Sequence, residues 1–254
     1  MASAKQYIRA LVPVLVREHY RRLLRRAGEV RNRRRSAEKV FTDIYARGSW
    51  GGREDKFCSG SGTGEDRVVA PYLEMISALA KSEGFQGRTF VDLGCGDFRV
   101  GHRLLPLCVQ YVGVDVVKPL IEYNQQHHGS ETARFLHLDI IEDELPHGDV
   151  CFLRQVLQHL SNEQIAKILP KLTRYRWVFI TEHYPSPNRR IRPNLDKVHG
   201  HDIRVYRNSG VYLTLPPFAL PEALIKQVLE VQGTDLGKRD PGLIRTFLYK
   251  PLSD

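Results

Sequence analysis

Two spacings of apolar residues alternate along most of this chain. Short, nearly continuous apolar runs at 89–93, 111–115, 134–138, 149–154 and 177–182 have the length of strands buried on both faces. Between them, 100–107, 119–127 and 162–172 carry apolar residues at helical spacing, with Ser161 suited to cap the last of these and Gly129 to stop the one before. Strands that alternate with helices predict parallel pairing and right-handed crossovers. Near the end, 227–234 and 243–249, joined through Gly237 and Asp240-Pro241-Gly242, predict a closing antiparallel hairpin. The expected fold is therefore α/β: a Rossmann-like open sheet, mostly parallel with an antiparallel C-terminal hairpin and helices on both faces.

Before the first strand the pattern is purely helical. Ile8, Leu11, Val12, Leu15 and Val16 recur at helical spacing, Pro13 suits the first turn, and the helix runs on through Leu23 and Leu24 among Arg9, Arg17, Arg21, Arg22, Arg25 and Arg26. A short helix at 37–46 and one at about 68–82 follow. Between them lie Gly48-Ser49-Trp50-Gly51-Gly52 and Ser59-Gly60-Ser61-Gly62-Thr63-Gly64, a loop by composition that serves either as a plain linker or as a lid with Trp50 as its apolar wall.

At 254 residues and 42% apolar content, the chain can bury one substantial core. No apolar run approaches the roughly 18 residues that span a bilayer. Cys58, Cys95, Cys108 and Cys151 have no CxxC spacing, which suits unpaired thiols in a reducing, cytoplasmic compartment. The net charge of +9 is unevenly placed: residues 1–47 hold 13 Lys/Arg against 4 Asp/Glu, and the remainder balances at 25 each. Residues 1–47 are accordingly expected as a basic helical extension and 48–254 as the catalytic domain. The extension suits peripheral contact with an anionic membrane through residues 1–35, and a neutral domain disfavours a nucleic-acid groove.

The chemistry concentrates in Phe90-Val91-Asp92-Leu93-Gly94-Cys95-Gly96-Asp97-Phe98, followed by Tyr111-Val112-Gly113-Val114-Asp115. Glycines 94 and 96 allow a sharp turn and close approach to a ligand, and Asp115 at the next strand end can accept from ribose hydroxyls. A dinucleotide fingerprint wants a third glycine where this chain has Arg99, which disfavours an NAD(P)-dependent oxidoreductase. The block Asp92-Leu-Gly-Cys-Gly resembles the first motif of class I S-adenosylmethionine-dependent methyltransferases, and the resemblance runs through most of 88–183. It implies S-adenosyl-L-methionine as cofactor. The carry-over puts Asp92 at the ammonium, Gly94, Cys95 and Gly96 along the methionine part, Asp115 at the ribose, and Asp139 and Ile140 at the adenine. Arg154 and Gln155 close the fourth strand. Phe98 departs from the family, many of whose members have glycine there.

An acceptor hydroxyl or amine needs a proton acceptor, and His159 and His183 stand at strand ends where substrate would lie. Trp50, Gln158 and Glu182, with His201 and Arg204 from the long polar insertion after the fifth strand, are the expected substrate contacts. His199-Gly-His201-Asp202 lacks a further clear ligand, so no metal is expected. The resulting expectation is O-methylation of a small-molecule or glycan-type acceptor. The alternatives are an oxidoreductase and a non-catalytic nucleotide- or RNA-binding protein.

Overall fold

The computed structural model describes residues 14–51, 57–60, 64–233 and 241–251. Helices α1 (Val14–Asn32), α2 (Ala37–Ala46) and α3 (Asp66–Ser82) precede the sheet. The sheet consists of β1 (Arg88–Leu93), β2 (Cys108–Asp115), β3 (Ala133–His137), β4 (Val150–Arg154), β5 (Trp177–Tyr184), β6 (Ile225–Gln232) and β7 (Leu243–Tyr249). Its strand order is β3-β2-β1-β4-β5-β7-β6, parallel from β3 to β5 and antiparallel where β7 meets β5 and β6. This is the expected sheet with its closing hairpin. Among the described residues no helix is long and apolar enough to cross a membrane.

The strands read as continuous apolar runs because each feeds two layers. Val91, Leu93, Val112, Val114, Cys151, Leu153, Val178 and Ile180 pack on one face; Phe90, Tyr111, Val150, Phe152, Trp177 and Phe179 pack on the other. Alternation with a period of two sends neighbours to opposite sides, so neither face can spare a polar residue until the strand ends. On the first face lies α2, with Ala37, Val40, Phe41, Ile44 and Tyr45 buried in the same core. Helix α2 is thus packed into the same core as the sheet. Ser36 caps α2 by accepting from the Lys39 amide, and Arg35 pairs with Asp43 at 2.6 Å.

Two expected helices are shorter or tighter than their spacing suggested. The stretch Gly101–Leu107 is a 3-10 helix. The helix expected at 162–172 divides into α5 (Asn162–Ile168) and a 3-10 turn, Leu169–Arg174, where Pro170 removes an amide donor. Ser161 does cap α5, and a capping box with Gln164 completes that end. Helix α4 (Lys118–His128) ends at Gly129, as expected. Ile8, Leu11, Val12, Pro13 and the loop tip at 61–63 lie outside the described residues, as do Gly237 and Asp240.

Phe98 explains its own departure from glycine. Its φ of 60° is left-handed, the conformation glycine adopts at least cost, and a side chain there must gain something in return. The ring is almost fully buried, edge-on to Phe135 at 4.8 Å and 5.1 Å from Tyr111. Phe98→Ala keeps the strained backbone and loses this cluster. It should cost about 3 kcal/mol in urea denaturation, and a loss below about 1 kcal/mol would show that the ring does not offset the strain.

Candidate active site

A cleft opens beyond the carboxyl ends of β1, β2 and β4, where an open α/β sheet binds its ligands. Gly94 (φ 83°) and Gly96 (φ 56°) form its floor, and a Cβ on Gly94 would fall 2.5 Å from Val156 Cγ2. Three contacts fix this turn. Asp115 accepts from the Gly96 amide at 3.2 Å and from the Val117 amide at 3.0 Å, while Asn124 donates to the Gly96 carbonyl at 2.8 Å. Asp115 thus ties the end of β2 to the turn after β1 before any ligand arrives.

Asp92 and Arg154 occupy one end of the cleft. One oxygen of Asp92 accepts from the Tyr111 hydroxyl at 2.6 Å. Arg154 lies over the Tyr72 ring at 5.4 Å, yet its buried Nε and one terminal nitrogen have no hydrogen-bond partner. A buried guanidinium left unpaired is costly, and an anionic group entering the cleft would satisfy it. Burial raises the carboxyls of Asp92 and Asp115 to about 6, and it lowers Arg154 from its ordinary value. At the other end Asp139 and Ile140 line the wall beside Val116 and Leu138. Asp139 accepts from the Ile141 amide at 2.9 Å.

The opposite wall is aromatic. Phe41 and Tyr45 of α2, Trp50 and His159 all line the cleft. Trp50 lies 5.1 Å from Tyr45 and 5.2 Å from His159. Tyr45 also hydrogen-bonds Ser59 at 2.9 Å, and Ser59 exchanges two bonds with Asp97: its amide donates to the Asp97 carboxylate and its hydroxyl accepts the Asp97 amide. The glycine- and serine-rich loop is in this way latched onto the glycine turn at Ser59.

His159 is oriented from outside the cleft. Its Nδ1 sits 3.1 Å from the Gly200 carbonyl, which can only accept, so Nδ1 carries the proton and Nε2 keeps its lone pair. The Gln158 amide nitrogen is 3.5 Å from that Nε2. The backbone carbonyl of His159 accepts from the Gly200 amide and from Lys197 Nζ. Burial, reinforced by the charge of Lys197, lowers the imidazole to about 3. It is neutral throughout the physiological range.

Of the residues expected from the sequence, Asp92, Gly94, Cys95, Gly96, Asp115, Asp139, Ile140, Arg154, Gln155, Trp50 and His159 meet at this cleft. Five do not. Glu182 is fully buried, and its carboxylate accepts the amides of Val156, Leu157 and Gln158, so it braces the turn after β4 instead of facing a substrate. His183 is buried and its Nε2 faces the Pro241 carbonyl at 2.6 Å, away from the cleft. Gln158 is buried, and its side-chain nitrogen lies 3.5 Å from the Gln155 carbonyl and from His159 Nε2. Arg204 is buried and donates to the Leu195 and Leu160 carbonyls. His201 is exposed next to Asp202. Nearby, Asn194 donates to the Tyr212 and Pro216 carbonyls of the insertion, and Asp196 accepts from the Asn162 amide of α5. The polar residues of the insertion therefore hold its fold.

Sequence reasoning missed Phe41, Tyr45, Tyr72 and Asp97. Phe41 and Tyr45 were available in the apolar spacing of α2, but that helix was assigned to the basic extension. Tyr72 lies on α3, whose spacing does not distinguish a core face from a cleft face. The group of three or more His, Cys, Asp or Glu side chains that could hold a metal ion is absent among the described residues.

Residues 91–175 match a family model described as a methyltransferase domain. No curated protein matches the chain. Solved structures share its fold, three of them as follows. The N-methyltransferase NodS from Bradyrhizobium japonicum, in complex with S-adenosylhomocysteine, is 13% identical with a TM-score of 0.56, over 85% of this chain and 100% of that one. The 1,6-didemethyltoxoflavin-N1-methyltransferase from Burkholderia thailandensis, with bound 1,6-didemethyltoxoflavin and S-adenosylhomocysteine, is 16% identical with a TM-score of 0.55, over 85% and 87%. A SAM-dependent methyltransferase from Leishmania major is 15% identical with a TM-score of 0.51, over 84% and 81%.

The raised carboxyls make stability depend on pH in a definite sense. Asp92 holds its proton in the fold up to about 6 but loses it near 3.8 when unfolded, so its contribution is full at acid pH and fades as pH rises through 6. Neutral Asn lacks this dependence while still accepting from Tyr111. In urea denaturation Asp92→Asn should gain on the unmodified chain between about pH 4 and about pH 6. A difference that stays constant over that window would mean that Asp92 is ionised in the fold throughout.

Proposed function

We propose that this chain, which carries a match to a methyltransferase domain and shares the fold of structures solved with S-adenosylhomocysteine, is a class I S-adenosylmethionine-dependent methyltransferase that methylates a hydroxyl of a small-molecule acceptor, with His159 taking the proton. S-adenosylmethionine supplies an activated methyl group on a positively charged sulfur. What this chain's own residues do is hold, align and deprotonate. The observation that carries the reading is the combination, in one cleft, of an unpaired buried guanidinium, a strand-end carboxylate and an imidazole whose tautomer the Gly200 carbonyl fixes.

The donor set fits the cofactor group by group. Arg154 would take the amino-acid carboxylate with its orphaned N–H groups, and the free oxygen of Asp92 would take the ammonium. Asp115, already oriented by two amides, would accept from the ribose hydroxyls. Asp139 and Ile140 would serve the adenine edge and face. Gly94, Cys95, Gly96 and Gln155 would leave room along the methionine chain.

Transfer requires an acceptor oxygen that sheds its proton as the new bond to carbon forms. His159 is suited to this at Nε2, because Gly200 holds the other nitrogen protonated and the ring cannot rotate without breaking that bond. Phe41, Tyr45 and Trp50 would exclude water from the reacting atoms and favour an acceptor with an apolar or planar body. A small-molecule acceptor fits this wall better than a glycan-type one, since the polar insertion is occupied with itself. Four free thiols suit the reducing, cytoplasmic setting of such an enzyme.

Titration calorimetry should show S-adenosylhomocysteine binding, no response to NADH, and weakening by about 1–3 kcal/mol in Asp115→Ala. Binding of NADH in place of S-adenosylhomocysteine would overturn the reading. With a hydroxyl acceptor in hand, His159→Ala should cost about a hundredfold in turnover at unchanged S-adenosylhomocysteine affinity. The unmodified enzyme should also show no acid limb from this imidazole near 6.5, its ordinary value, because the folded one stays neutral down to about 3. A turnover that halves near 6.5 and becomes pH-independent there in His159→Ala would place an unperturbed imidazole in the site.

A further inference from the structure

Helix α1 is mounted with its faces reversed. A surface helix of a globular domain turns its apolar stripe to the core and its charges to water. Here positions 25, 29 and 32 face the body through polar contacts: Arg25 lies 5.3 Å over the Tyr206 ring, Glu29 pairs with Arg207 at 2.6 Å, and Asn32 donates to the His199 carbonyl at 3.2 Å. The outward stripe is Val16, Tyr20, Leu23, Leu24 and Val30, at i, i+4, i+7, i+8 and i+14, each between 49% and 73% exposed. Exposed Arg26, Arg31, Arg33 and Arg34 flank it or follow its end. In the whole of residues 1–35 there are 11 Lys/Arg against only Glu18 and Glu29, so all nine units of net charge fall on this segment.

An apolar stripe and a positive field call for a partner that is apolar within and negative at its surface. We propose that the outward face of α1 docks the protein on an anionic lipid surface, lying in the plane of the interface. The stripe would enter the headgroup boundary while the flanking arginines meet lipid phosphates. A nucleic acid would use the charge but leave the stripe in water. An acidic protein would need a complementary groove for a stripe that is continuous over four turns. The polar tether to Tyr206, Arg207 and His199 fixes α1 to the insertion whose Gly200 orients His159, so the bound helix would remain part of the body that carries the cleft. This inference is independent of the transfer chemistry.

The test is co-flotation of the full chain with phosphatidylcholine vesicles that contain phosphatidylserine and with pure phosphatidylcholine vesicles. Binding is expected only to the anionic set and should fall as salt rises. Leu23→Ser with Leu24→Ser, which keeps every charge, should weaken it by about tenfold or more. Each of Arg26→Gln and Arg31→Gln should weaken it by about fivefold. These side chains are exposed, so S-adenosylhomocysteine affinity measured alongside reports whether the variants fold, and its absence in the unmodified chain would count against the methyltransferase reading alone. No flotation of the unmodified chain at low salt overturns the proposal. So does equal flotation of the double leucine variant, which would reduce the contact to charge; retention of an RNA oligonucleotide at low salt with no anionic-vesicle binding would assign the arm to nucleic acid instead.

Discussion

The carboxylate of Glu182, closed off from solvent at the end of β5, accepts three successive amides of the turn that follows β4. The shape of the cleft hangs on that contact. The turn presents Gln155, in a left-handed conformation at φ 58°, and then Val156, which fills the space a side chain on Gly94 would need. It then delivers His159 to the aromatic wall. Three amides converging on one buried carboxylate cannot be met by water or by another turn, so the arrangement has one solution. Burial pushes Glu182 up to about 8 against the pull of those donors. Removal of its side chain would leave three amides unsatisfied, at about 1–3 kcal/mol each before any effect on the site.

Around this brace the site is assembled from segments far apart in the chain. The floor comes from the glycine turn, the aromatic wall from α2 and Trp50, and the orientation of His159 from the insertion. Arg204, buried and bonded to the Leu160 and Leu195 carbonyls, anchors the insertion from within. The inward polar groups of this long segment are thus the means by which a loop becomes rigid enough to hold an imidazole in one tautomer. In the cleft, Arg154 keeps its Nε and one terminal nitrogen without a partner.

The sheet was legible because its strands are buried on both faces and interrupted only at ligand-bearing ends. Asp92 and Asp115 could be assigned for the same reason: polarity appears just where the apolar alternation stops. Glu182 shows the limit of that rule. An acid at a strand end looks alike whether it faces a ligand or a neighbouring turn, and only the path of residues 156–158 decides. His183 and Arg204 lie outside the cleft through the same ambiguity, since backbone carbonyls bind polar side chains as readily as a substrate does. Helix α2 was recognised within its true limits, yet its membership in the cleft was hidden by the basic residues around it. The reversed mounting of α1 was equally invisible, because an amphipathic pattern does not say which face meets the protein.

The most direct test of the account is a crystal structure of the chain with S-adenosylhomocysteine bound. The account predicts the amino-acid carboxylate on Arg154, the ribose on Asp115, and His159 Nδ1 still on the Gly200 carbonyl with Nε2 open toward the sulfur side of the cleft. An Arg154 still unpaired beside a bound S-adenosylhomocysteine, or an imidazole turned to engage Gly200 through Nε2, would contradict it.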